Sequence, residues 1–206
     1  GPLRIILLGI ILALGALVIG QRIGYVIVVA ALLFANGGYY NAALSWSDLR
    51  TRSYFGVYSV NAAQGGRLRW LSHGTTMHGM QLTDQPTRPI SYYGMTSGVG
   101  QAMTQAPSLY GQNASIGVVG LGTGTLSCYK RPGQNWQFFE IDPTVISLSR
   151  NGGYFSYIDR CAPDVPIRLG DARLTIAKAP PGSIDILAID AFSSDAIPVH
   201  LLTREA

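Results

Sequence analysis

From Ser115 onward, short apolar runs alternate with glycine loops and helix starts, and no other feature of the chain restricts its fold as much. Strand signals fall at residues 116–119, 137–141, 167–169 and 184–189, with helix starts at Thr125 and Pro143 between them. Strands that are apolar throughout are buried on both faces, and a sheet covered on both faces needs crossover helices between parallel strands. The expectation is an α/β domain over residues 111–206, built on an open parallel sheet of the Rossmann-like type.

The first strand runs into Gly120-Leu121-Gly122-Thr123-Gly124. Glycines at such a turn let the backbone approach a ligand, whose polar groups meet free N–H donors at the start of the next helix. Thr125 stands where a dinucleotide fingerprint requires glycine, so by itself this loop is weak evidence for a nucleotide-like ligand and reads first as a structural turn. The second strand ends in Glu140-Ile141-Asp142, and Glu140 lies 18 residues after Gly122. A carboxylate at that strand tip can accept both hydroxyls of a ribose. Asp142, directly before Pro143, reads as the N-cap of the following helix. After the third strand comes Gly170-Asp171-Ala172, where Asp171 either reads the amino group of an adenine or serves as an ordinary turn residue. The fourth strand delivers Asp190 to the carboxyl edge, where open α/β sheets bind ligands and where a carboxylate is costly unless employed. Asp195 is either a second carboxylate for a cationic amine or the cap of a short helix toward Leu201 and Leu202.

The N-terminal part is a different material. Residues 3–44 carry only Arg4 and Arg22 as charges and form two apolar runs, 5–20 and 23–44. Each approaches the ~20 residues that cross ~30 Å of hydrocarbon, and neither has a polar face. The reading is a transmembrane helical hairpin over 1–46, in contact with the lipid bilayer through 3–44. Arg50 and Arg52 just beyond it orient the rest of the chain to the cytoplasmic side of an inner or plasma membrane.

Between these parts, residues 47–110 read as a small antiparallel β unit with a linking helix. Strand signals at 54–60 and 67–72 flank the turn Ala63-Gln64-Gly65-Gly66, and a glycine-weakened helix is expected over 92–106. His73 and His78 lie five residues apart, which is not one-face helical spacing, and no metal site is expected. Cys128 and Cys161 form neither a C-x-x-C nor a framework and read as buried free thiols. A net charge of +4 without a block of like charges argues against a nucleic-acid partner.

Taken in order, these residues resemble the spermidine synthase (polyamine aminopropyltransferase) family, in particular its membrane-fused bacterial type. The resemblance runs from about Tyr54 to Glu205 and rests on Gln81-Leu82-Thr83, Tyr92-Tyr93-Gly94-Met95, Glu140-Ile141-Asp142, Gly170-Asp171-Ala172 and the segment Asp190 to Asp195. It implies a sheet of the class I methyltransferase type. It also implies aminopropyl transfer from decarboxylated S-adenosylmethionine to putrescine or a similar polyamine, releasing methylthioadenosine and needing no metal.

On this resemblance the donor nucleoside is held by Gln81, Gly120, Gly122, Gly124, Glu140, Asp171 and Ala172, with Gln81 at its sulfur end. Asp190 is the base that deprotonates the amine, Tyr92 helps to place that amine, and Tyr93 and Asp195 contact it. Thr123 stands where the family's glycine loop has Asp, and Gly94 where it has Glu. Two alternatives therefore stay open: transfer from intact S-adenosylmethionine by a methyltransferase or related alkyl transferase, and a non-catalytic, membrane-bound nucleoside-binding domain. A sheet that stops on its fourth strand exposes an edge, so the 206 residues read either as a C-terminally incomplete fragment or as a sheet completed by a homo-oligomer or an additional chain.

Overall fold

A computed structural model of the protein describes residues 2–151, 153–192 and 198–203. Asp195 lies outside the described residues. The chain divides into two compact units, 1–50 and 51–206.

The first unit contains α1 (Pro2–Leu17), α2 (Arg22–Leu33) and α3 (Tyr39–Trp46), with a widened helical turn at Phe34–Gly38 between the last two. The hairpin between α1 and α2 is close: a Cβ on Gly15 would stand 3.0 Å from a Val28 methyl. The transmembrane pair expected from the sequence is not found, because no helix among the described residues is long and apolar enough to cross a membrane. The apolar runs are longer than the helices they form. The 16 residues of α1 and the 12 of α2 reach about 24 and 18 Å, short of ~30 Å of hydrocarbon. The second run is interrupted by the wide turn, where Gly37 takes φ +91°. The bilayer contact through 3–44, the membrane placement and the cytoplasmic orientation drawn from Arg50 and Arg52 lose their basis with the spans.

The second unit joins an antiparallel sheet to a parallel one. β1 (Arg50–Ser53), β2 (Gly56–Ala63), β3 (Leu68–His73) and β4 (Thr76–Leu82) form a sheet in that order, with β2–β3 and β3–β4 antiparallel. Residues 73–81, read only as a polar cluster, thus supply most of a strand. Gly74 at φ +60° closes a tight turn, and burial in β4 alternates, with Gly79 and Gln81 as its buried positions. In place of one helix over 92–106 there is a single tight turn at Ser91–Tyr93 and then α4 (Gly98–Tyr110), capped by Ser97, whose hydroxyl accepts from the Gly100 N–H. Gly94 in an extended conformation separates the two.

The parallel sheet consists of β5 (Ser115–Val119), β6 (Asn135–Glu140), β7 (Ile167–Leu169) and β8 (Ile186–Ile189), in the order β7-β6-β5-β8. All three pairings are parallel, as the alternation of signals predicts. Ile116, Val118, Trp136 and Phe138 are fully buried and form the centre of the core. On the edge strand β8, Leu187 and Ile189 remain exposed. The crossover segments are short: α5 (Pro143–Ser149), α6 (Tyr157–Cys161) and α7 (Ala172–Ile176). The helix expected from Thr125 is only a tight turn, Thr125–Tyr129, because Pro132 and Gly133 follow at once.

Cys128 in that turn is disulfide-bonded to Cys161 at the end of α6, with Cα atoms 4.8 Å apart. This corrects the reading of two free thiols. The residues are 33 apart in sequence, and only the docking of α6 against the turn brings them together; a Cβ on Gly124 would stand 2.6 Å from Ile158 of α6.

Candidate nucleoside-binding site

The carboxyl ends of all four parallel strands stop level with one another. Ladder hydrogen bonds continue one residue past β5, β8 and β7: the Gly120 N–H donates to Phe139 O (2.8 Å), Asp190 N–H to Val119 O (2.8 Å) and Gly170 N–H to Glu140 O (2.9 Å). This registry fixes the glycine loop, Glu140, Gly170-Asp171 and Asp190 side by side along one edge. They border a single cavity of about 290 Å³. Its opposite wall comes from the antiparallel sheet, with Phe55, Tyr58, His73 and His78. Tyr58 and His73 are stacked at 4.5 Å, and the His73 and His78 rings are 5.5 Å apart.

The glycine loop is pressed against β4. A Cβ on Gly122, which has φ +51°, would stand 2.6 Å from the His78 carbonyl oxygen, and one on Gly120 would stand 2.5 Å from the Asp190 carbonyl oxygen. Any side chain at either position would push the cavity walls apart. Gly120 and Gly122 line the cavity; Gly124 does not, and its left-handed backbone instead starts the Thr125–Tyr129 turn. Thr123 also turns away. It is fully buried, and its hydroxyl is 2.8 Å from that of Thr125.

Glu140 is 7% exposed, and each of its oxygens accepts a backbone N–H: Oε2 from Leu121 and Oε1 from Asp142, both at 2.9 Å. Burial pushes its pKa up, against the pull of these N–H donors, which favour the charged form. The carboxylate therefore holds the glycine loop in shape while each oxygen keeps a lone pair for a ligand. Asp142 is the expected helix cap, accepting from Thr144 N–H at 2.8 Å. It also accepts from the Ser53 hydroxyl. Burial acts to raise its pKa, but the hydrogen bonds from Ser53, Thr144 and Tyr58 outweigh it and leave the group below the usual carboxylate range.

Asp190 is held differently. Burial pushes its pKa up to about 6, and a hydrogen bond from the Tyr93 hydroxyl only partly offsets this. Tyr93 is itself buried, and burial together with the negative charge of Asp190 raises its pKa well above the usual phenol range. Tyr93, rather than Tyr92, is the tyrosine that touches Asp190. Tyr92 is half-exposed, donates to Met77 O at 3.2 Å and tilts against the Tyr93 ring at 4.2 Å; burial pushes its pKa up to about 12. Gln81 does not line the cavity. Its amide donates to Pro86 O and to the Ser156 hydroxyl and accepts from Ser156 N–H, tying β4 to the segment before α6. Asp171 and Ala172 do line it, with Asp171 also capping α7 by accepting from Leu174 N–H at 3.1 Å. His200, which motif reading passed over, lines the same cavity and sits 3.4 Å from Asp171.

No family model matches the chain. A polyamine aminopropyltransferase from Vibrio vulnificus (strain CMCP6) is 31% identical over 93 residues, which make up 43% of this chain and 30% of that relative. A probable spermidine synthase from Corynebacterium glutamicum ATCC 13032 superposes with a TM-score of 0.58 at 22% identity, over 72% of this chain and 53% of that one. For the spermidine synthase from Thermotoga maritima the TM-score is 0.52 at 18% identity, over 76% and 49%. The chain thus spans less than a third of the curated relative it matches and about half of each solved structure. In sequence over those 93 residues, and in fold over most of its length, this protein resembles the spermidine synthases, also named polyamine aminopropyltransferases.

Proposed function

We propose that the cavity binds decarboxylated S-adenosylmethionine and that the protein is a transferase passing its aminopropyl group to a polyamine such as putrescine. One observation carries this reading: three carboxylates from the carboxyl ends of β6, β7 and β8, Glu140, Asp171 and Asp190, border one cavity of about 290 Å³. Glu140 accepts the ribose hydroxyls with the lone pairs left over from Leu121 and Asp142, and Asp171 faces the nucleobase. Gly120 and Gly122 supply close backbone contact. Asp190 removes a proton from the ammonium of the acceptor, freeing the nitrogen lone pair to attack the carbon next to the sulfonium. That C–N bond forms as the C–S bond breaks; its electron pair returns to sulfur, and methylthioadenosine leaves as a neutral thioether. Tyr93 orients the carboxylate of Asp190, and Gln81 braces β4 behind the glycine loop.

The resemblance in sequence to a polyamine aminopropyltransferase supports the donor and acceptor classes. One observation favours a second reading, transfer from intact S-adenosylmethionine: Thr123, where the family carries Asp, is buried away from the cavity, so no carboxylate at that position repels the carboxylate that the intact donor keeps. Turnover with putrescine and each donor in turn separates the two. Release of methylthioadenosine from the decarboxylated donor alone is the expected result. Reaction of intact S-adenosylmethionine supports the second reading, and binding without turnover of either contradicts both.

A further inference from the structure

The tyrosine that touches Asp190 is held from behind by another one, which neither the motifs nor the comparisons assign. Tyr129 ends the tight turn that follows the glycine loop, and that turn is tied to α6 through Cys128. Tyr129 is buried, and its hydroxyl donates to the backbone carbonyl of Tyr93 at 2.7 Å. Burial raises its pKa, which keeps the hydroxyl a donor. Gly100 of α4 makes room for it, since a Cβ there would stand 2.7 Å from the Tyr129 oxygen. The next carbonyl is pinned as well: Gly94 O accepts from the Ser97 N–H at 2.9 Å and from the Ser97 hydroxyl at 2.7 Å. The Ser91–Tyr93 turn needs such anchors, because it opens on Ser91 at φ +63°, a backbone region that non-glycine residues seldom adopt.

Two adjacent tyrosines leave this turn: Tyr93 donates to Asp190 and Tyr92 to Met77 O. Building on the function proposed above, we infer that Tyr129 is a positioning residue for the transfer step: through the Tyr93 carbonyl it fixes the turn in the rotation that puts Tyr93, not Tyr92, on the carboxylate of Asp190. Without its hydroxyl the buried Tyr93 carbonyl loses its donor, and the turn relaxes toward another partner. Tyr93 then spends less time on Asp190, and the charged carboxylate loses part of the hydrogen bond that favours it. Tyr129 does not line the cavity, so its removal leaves the binding surface unchanged. Tyr58, His73, His78, Glu140, Asp171 and His200 border the cavity together with Asp190, and Tyr92 lies against Tyr93. These groups are common to the wild type and the variants below, so a difference between them reports on the Tyr93 contact.

The test follows the titration of Asp190 by carboxyl-carbon NMR, assigned with Asp190→Asn, together with the pH dependence of transfer. It compares the wild type, Tyr129→Phe, Tyr93→Phe and the double variant, with thermal melts to confirm that each is folded. Tyr129→Phe is expected to raise the proton affinity of Asp190 about 3-fold, less than Tyr93→Phe does, and to leave affinity for 5′-methylthioadenosine within about 2-fold. Transfer then falls about 3-fold near pH 5, about 2-fold near pH 6 and little near pH 8. The double variant is expected to match Tyr93→Phe alone, because Tyr129 acts through Tyr93. An unmoved titration in Tyr129→Phe, or a further shift of the same size in the double variant, overturns the positioning role. So does a loss of activity by one factor at every pH. A wild type that transfers nothing overturns the function proposed above, while the titration still decides what Tyr129 does to Asp190.

Discussion

The tips of β6 and β8 both end in an acidic residue on the same cavity, yet the two carboxylates are held in opposite ways. Glu140 is gripped by two backbone N–H groups and cannot move without unmaking the glycine loop. Asp190 has one side-chain hydrogen-bond partner among the described residues, the Tyr93 hydroxyl, and burial raises its pKa to about 6. A carboxylate fixed by the backbone is suited to binding, since its geometry is set before a ligand arrives. A buried carboxylate with a raised pKa, held by a side-chain hydroxyl rather than by the backbone, is suited to moving a proton near neutrality. The difference between the two tips therefore assigns binding to one and chemistry to the other.

The largest expected effect breaks this comparison at the β8 tip. Asp190→Asn is expected to lower kcat for aminopropyl transfer by about 10³-fold, within the range for a lost general base, while nucleoside affinity stays within a few-fold. Single-turnover rates and calorimetry measure the two quantities separately. Next in size is an effect that belongs to neither carboxylate. Replacing both Cys128 and Cys161 with Ser is expected to cost about 4 kcal/mol of stability, the chain-entropy value for a bridge across a separation of 33 residues. Denaturant unfolding with and without reductant checks it, and no difference would mean that α6 docks without the bridge.

At the β6 tip, Glu140→Gln sets an amide N–H₂ against a backbone N–H and is expected to weaken nucleoside binding by ~1–3 kcal/mol, with kcat changed less than KM. An unchanged affinity would leave Glu140 only the task of shaping the loop. The smallest effect sharpens the comparison. Transfer should rise with pH through about 6 and then level off, because Asp190 acts as a base only when deprotonated. Tyr93→Phe removes the donor that favours the charged carboxylate, so that limb is expected to move to higher pH. Activity then falls several-fold near pH 6 and little near pH 8, and a pH–rate profile that does not move would separate Tyr93 from Asp190.

How much of this was legible in the sequence follows from which signals are local. The four parallel strands could be read because each is an apolar run closed by glycine or acid, and Glu140, Asp171 and Asp190 could be placed because they directly follow those runs. Asp142 as a helix cap was equally local, needing only Pro143 beside it. The spans misled because apolarity alone does not keep a helix going: the wide turn at Phe34–Gly38 interrupts the second run. Tyr92 and Tyr93 are adjacent, and which of them reaches Asp190 depends on one step of rotation in the Ser91–Tyr93 turn. The sequence carries no mark of that step. The Cys128–Cys161 bond and the approach of His200 to Asp171 are tertiary encounters between segments whose own patterns say nothing of each other.

A crystal structure of the protein with 5′-methylthioadenosine tests the central assignment most directly. The account expects the ribose hydroxyls within hydrogen-bond distance of Glu140, the base beside Asp171, and the sulfur directed toward Asp190. A nucleoside bound elsewhere, or one in this cavity with its ribose away from Glu140, would contradict it.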